Sequence, residues 1–231
     1  MTEQQHSINW VTFLLAWVAG FADTTTFVSG DSIFSAHVTG NFIVFAAQVS
    51  SGSANPMAWI KLLTFPVFVI AVMAGGWMVD KTQRKYKILL IEGIILIACG
   101  AAAIILPVLK GVEATVITYL IVMVSVFGMG LQNAFGKLFA KETHGPTTMM
   151  TGNVTQAALD FGNIIRKGGA GNGQARESLK KQIVTIGGFL IGCVAGALLS
   201  RWVGLSAMMI PGVAIVVCYL QGEITANKQE N

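Results

Sequence analysis

The sequence predicts an all-α integral membrane protein made of two inverted repeats, each with three transmembrane helices and one short re-entrant or broken helix. Three observations predict it. Of 231 residues, 54% are hydrophobic and 11% charged, where a soluble domain carries roughly 25% charged residues. The tripeptide Thr39-Gly40-Asn41 returns as Thr151-Gly152-Asn153 with matching flanks. The basic residues sit in short loops between apolar runs, which is how topology signals are distributed.

Six apolar runs are long enough for a hydrocarbon core that needs roughly 20 residues: Trp10–Val28, Trp59–Val79, Ile88–Leu106, Val116–Phe135, Ile183–Val203 and Leu205–Leu220. The residues before the first run include no Lys or Arg and no small-residue cleavage site, so it reads as a retained helix and not as a signal peptide. The two TGN segments are shorter. About 12 helical residues rise only about 18 Å, too little to cross alone.

Charge decides how those segments run. If both cross, eight crossings divide the 15 basic residues 8 against 7. If each enters and returns on one side, only Lys61, Lys110 and Arg201 face outward and 12 face inward. The positive-inside rule selects the second arrangement, with both termini and the loops Asp80–Lys87 and Arg166–Lys181 in the cytoplasm. Three crossings per repeat is an odd number, so the second copy is inverted. One membrane domain, residues 1–231, then holds repeat one at 10–107 and repeat two at 115–221.

The flanks repeat as well. Gly20-Phe21-Ala22-Asp23 matches Gly130-Leu131-Gln132-Asn133, Phe68–Gly75 matches Phe189–Gly196, and Leu89–Cys99 matches Met208–Cys218. Gly188, Gly192 and Gly196 form a small-residue ladder, matched by Ala71 and Gly75, that suits close helix packing. Cys99, Cys193 and Cys218 all lie in apolar runs without a CxxC or Cys/His cluster, so neither a metal site nor a disulfide framework is expected.

The polar residues inside these runs are the functional candidates. Asp23 is expensive in a membrane helix unless it has a partner or water, and its counterpart Asn133 stands beside Gln132. A cap for a helix break near Thr24 is the structural alternative for Asp23. His37 precedes the first TGN and relays protons if Asp23 is near; a lone His is more often a hydrogen-bonded structural residue. Glu92 reads as an interfacial partner of Lys87, and Asp160 as a solvent-facing residue. In each TGN the Thr suits a helix cap and the Gly a close backbone approach. Two such helix starts meeting at the midplane would offer N–H donors to an anion or an acceptor-rich solute, with Asn41 and Asn153 sharing it. The structural alternative is a tight turn between packed segments.

The blocks GFADTTTF, FSAHVTGNFIVFA, GLQNAFGK and TTMMTGNVTQAA resemble the YoaK-like family of uncharacterised bacterial multi-pass membrane proteins, from Leu14 to Leu220. That resemblance implies a bacterial inner-membrane location and transfers no activity. Where the family shows Arg after the Gln-Asn block, this chain has Lys137.

The expected function is a small-solute transporter or channel with its site between the TGN helices. Thr39, Gly40, Asn41, Thr151, Gly152 and Asn153 would bind a small anion or polar metabolite. Asp23, Asn133, Gln132 and His37 would surround them. The alternative is a non-transporting membrane interaction or assembly protein. An enzyme is not expected, since no nucleophile stands with a positioned base and no nucleotide loop or metalloprotease motif occurs. No cofactor is expected either. The expected partners are the lipid bilayer and a small solute, with homo-oligomer formation left open and nucleic acid excluded.

Overall fold

The structure, a computed structural model, describes residues 3–51, 56–81, 86–108, 113–166 and 173–230. Arg84, Lys85, Lys110 and Lys167, four of the 15 basic residues that set the predicted orientation, lie outside the described residues. Among those described, regular structure is helical throughout: α1 (Glu3–Ser29), α2 (Gly40–Ser50), α3 (Ile60–Lys81), α4 (Lys87–Ile105), α5 (Ala114–Leu138), α6 (Met150–Arg166), α7 (Gly173–Val203) and α8 (Met209–Glu230).

Among the described residues, five segments are long and apolar enough to cross a membrane: Ser7–Ser29, Met57–Asp80, Lys87–Ile105, Ala114–Leu138 and Gly173–Leu220. The last merges the two runs predicted at 183–203 and 205–220. A straight 48-residue helix would rise about 72 Å, more than twice the hydrocarbon thickness. A 3₁₀ turn at Gly204–Met208 interrupts it instead, with Gly204 in the left-handed region at φ +61° that its missing Cβ permits. The 11-residue α2 is apolar but short, and α6 is not among the five segments. Large apolar side chains such as Ile43, Ile70, Trp77, Leu190 and Trp202 cover the outside, as a lipid-facing surface requires.

The helices pack in a pattern that survives exchange of the two halves. α1 lies against α7, α3 against α5, and α4 against α8. Glycines set the first two seams. A Cβ on Gly20 would strike the Phe189 carbonyl, and one on Gly130 would meet the Phe68 carbonyl at 3.2 Å. These are the same contact with the halves swapped. The predicted ladder lines the α1 seam: Gly188, Gly192 and Gly196 rest on the backbone of Phe13, Trp17 and Phe21. Van der Waals contact at this range is available only to small residues. In the third seam Gly93 and Gly212 face one another's backbone.

Polar contacts give the directions. Tyr119, near the start of α5, hydrogen-bonds Asp31 just past the end of α1. Asn9, near the start of α1, contacts His144 just past the end of α5. α1 and α5 therefore run in opposite directions.

Candidate functional site

Each TGN is preceded by a loop that folds back along its own helix. In the first, residues 30–39, the Ala36 and His37 amides donate to Asp23 Oδ1 at 2.8 and 3.3 Å. Asp23 stands six residues before the end of α1, so the loop returns about 9 Å along the helix. His37 Nδ1 lies 2.6 Å from Asp23 Oδ2, and its ring sits 5.3 Å from the Phe189 ring of α7. Asp23 is buried, while the His37 side chain is 34% exposed. Burial disfavours the imidazolium, but the Asp23 hydrogen bond and charge outweigh it and hold the His37 pKa above its ordinary value. Asp23 thus has both a partner and two amides to accept from, which is what a carboxylate at this depth needs.

The second loop, residues 139–149, makes the neutral version. Asn133 donates to the Thr148 hydroxyl at 2.7 Å. Gln132 donates to Thr147 at 3.0 Å and to the Leu15 carbonyl at 2.7 Å. Thr148 stands one place from where the repeat offset puts Met149 opposite His37. Further out, the His144 amide donates to Thr12 and its ring contacts Asn9. Burial and the nearby Lys181 hold the His144 pKa below its ordinary value against the opposing Glu177.

The TGN residues divide in the same way in both copies. Thr39, Thr151 and Gly152 are exposed and Gly40 half-exposed; Asn41 and Asn153 are buried. Thr39 is the N-cap residue of α2, but its side chain makes no capping bond. Each Asn reaches back seven residues. Asn41 Oδ1 accepts from the Phe34 amide and Nδ2 donates to the Phe34 carbonyl, both at 2.8 Å. Its Nδ2 also donates to Thr64 of α3 at 3.0 Å. Asn153 Nδ2 donates to the Pro146 carbonyl at 3.1 Å. The carboxamides so serve their own loops, one clasp per repeat.

A third group was not foreseen. Lys61, fully buried, donates to Asp31 Oδ2 at 2.7 Å, and the Tyr119 hydroxyl donates to the same oxygen at 2.9 Å. Asp31 and Ser32 both occupy the left-handed region, at φ +59° and +58°. The signal available was a lone Asp after Gly30 and a lone Lys opening an apolar run, but nothing in the sequence joins residues 30 apart. Two readings of acidic residues are corrected. Glu92 does not pair with Lys87: it is fully buried near Cys218 of α8, with neither carboxylate oxygen hydrogen-bonded. Asp160 is buried too, accepting from Gln156 at 3.0 Å.

A family model described as "Protein of unknown function (DUF1275)" matches residues 11–220. The chain belongs to the DUF1275 family. The match takes in both TGN loops, the Asp23–His37 pair and the Lys61–Asp31–Tyr119 group of this DUF1275 chain. No curated protein and no solved structure matches it.

Proposed function

We propose that the chain is a small-solute transporter or channel of a bacterial inner membrane, built from two inverted repeats whose TGN loops re-enter from opposite faces. The observation that carries this reading is the pair of loops. Each turns back about 9 Å along its own helix, and the first bears an ionisable Asp23–His37 pair where the second bears Asn133–Thr148. Non-helical backbone at such depth is sustained only inside protein or along a watery cavity. The antiparallel α1 and α5 and the exchange symmetry of the helix seams support inversion. Lys61 next to Asp31, just past α1, supports α3 starting on the side where α1 ends. Buried hydroxyls of Thr25 and Ser35 and the Gln132 carbonyl oxygen, all without a protein partner, are groups a polar solute would satisfy. The substrate is a small anion or polar metabolite, Asp23 and His37 exchange the coupling proton, and both termini are cytoplasmic. The YoaK-like resemblance supports the bacterial location.

One observation favours the other reading, a membrane assembly protein: Asn41 is fully buried and its amide is used up by its own loop and by Thr64 of α3, as dry packing would have it. Reconstitution separates the two. Proteoliposomes holding the purified chain should accumulate labelled acetate or phosphate faster than empty ones, and Asp23→Asn should slow that uptake while the protein stays folded. Uptake of both probes equal to empty vesicles would set the transport reading aside in favour of assembly.

A further inference from the structure

We propose that Lys61 and Tyr119 form a binding site for a small carboxylate, occupied in this structure by the chain's own Asp31. The proposal deepens the transport reading, on which it rests, by naming a substrate class and a point of contact.

Two donors converge on one oxygen. The Lys61 ammonium of α3, from repeat one, and the Tyr119 hydroxyl of α5, from repeat two, both meet Asp31 Oδ2. A cation and a hydroxyl aimed at one carboxylate oxygen are recognition chemistry for a carboxylate from any source. The two donors come from different helices, so the site belongs to the α3–α5 seam, while Asp31 comes from a loop. Burial is unequal. The Lys61 side chain is 0% exposed and that of Asp31 34% exposed, so a solute from the aqueous side meets Asp31 first and exchanges with it there.

The loop that carries Asp31 is also held in an uncommon conformation. Asp31 and Ser32 are consecutive non-glycine residues with φ near +60°, which Asp tolerates but which is strained for Ser32. Release of the loop relaxes that strain but strips Lys61 of its counter-ion. A buried cation without a partner is costly enough that a replacement anion is favoured. Movement of loop 30–39 and arrival of an external carboxylate are therefore linked, each favouring the other. The opposite loop has no such device, since His144 there meets the neutral Asn9 and Thr12.

Acetate, which copies the Asp31 side chain, is the probe. The full chain in detergent is unfolded thermally across an acetate series, with chloride at equal ionic strength as the screening control. Asp31→Gly removes the carboxylate, and glycine accepts φ +59° without strain. This variant should bind acetate at least about tenfold more tightly than the native chain, as the loss of one competing charged hydrogen bond implies. Adding Lys61→Gln should abolish the effect, and Tyr119→Phe should weaken it. If Asp31→Gly does not fold, Asp31→Asn serves, because Asn tolerates the left-handed region and removes the counter-charge of Lys61, with a smaller gain expected since its Oδ1 can still accept from Lys61 and Tyr119. A purely structural ion pair gives the contrary result: the variant loses stability to the same extent in acetate and chloride, and the proposal falls. Acetate binding without uptake of any carboxylate by proteoliposomes would keep this site and remove the transport reading instead.

Discussion

The two TGN loops share a backbone plan and differ in charge. Each packs back on its own helix, each buries its Asn and exposes its Thr, and each Asn bonds the residue seven places earlier. The first loop then adds an Asp23–His37 pair and an Asp31–Lys61 pair, both partly buried. The second has Asn133 in the place of Asp23, bonded to Thr148 beside the place of His37, and a His144–Asn9 contact further out. A carboxylate and an amide of equal size at one repeat position separate what the fold needs from what is added to it. The fold needs a polar side chain that ties the loop down. The charge is extra, and an ionisable group inside a membrane protein persists where it has work or a partner.

The largest contrast should come from truncating the two matched residues. Asp23→Ala breaks a buried charged pair and frees two amides, a loss of about 3 kcal/mol, while Asn133→Ala removes one neutral bond for about 1 kcal/mol. Equal losses in chemical denaturation would mean that charge adds nothing at this position. Next in size are the clasps. Asn41→Leu gives up three bonds in a fully buried place, costing about 2–3 kcal/mol, against about 1 kcal/mol for the single bond of Asn153→Leu. A double mutant measures whether the clasps are independent. If the losses add, the asparagines act separately; a shortfall shows that they share an element.

A smaller effect is expected outside both loops. Glu92→Met replaces a fully buried carboxyl that has no hydrogen-bond partner, so the variant should be about 1–2 kcal/mol more stable. A loss of stability would reveal a partner for Glu92 that packing alone does not supply. The smallest effect is in the pH profile, where the two loop histidines act with opposite sign. His37 is raised in the fold, so its contribution is complete below the ordinary histidine value and is lost as pH rises through the raised one. His144 is lowered, so its contribution is complete above the ordinary value and is lost as pH falls through the lowered one. Unfolding midpoints between pH 5 and pH 8 (roughly the range in which histidine titrates) should therefore lose their alkaline decline in His37→Gln and their acid decline in His144→Gln. Parallel profiles for the two variants would contradict the assignment.

Much of this was legible in the sequence, for reasons that lie in the physics of lipid. Apolar runs announce helices because an unpaired backbone cannot be left in hydrocarbon. Repeated TGN blocks announced two loops of one plan, and the glycine ladder announced a close helix seam, since only small residues admit that contact; that its partner is α1 came from the fold. The Asp23–His37 pairing was within reach, because a carboxylate in a helix needs a partner and His37 follows 14 residues later. Asp31, Lys61 and Tyr119 were not, since they come together through tertiary packing of three separate elements. Glu92 and Asp160 were misread for a related cause: helical spacing names neighbours on the same helix, and the burial of both is set by the helices that pack across from them. The seven-residue reach of each Asn depends on the loop conformation, which no propensity encodes.

If the two loops enter from opposite faces of the membrane, as proposed, thiol accessibility shows it without knowledge of the substrate. With the three native cysteines replaced by alanine, Ser51→Cys at the end of α2 and Arg166→Cys at the end of α6 are each exposed to an impermeant maleimide. In intact cells the reagent should label Cys at 51 and not at 166, and in inside-out vesicles the pattern should reverse. Labelling of both positions from the same side would mean that the loops do not enter from opposite faces.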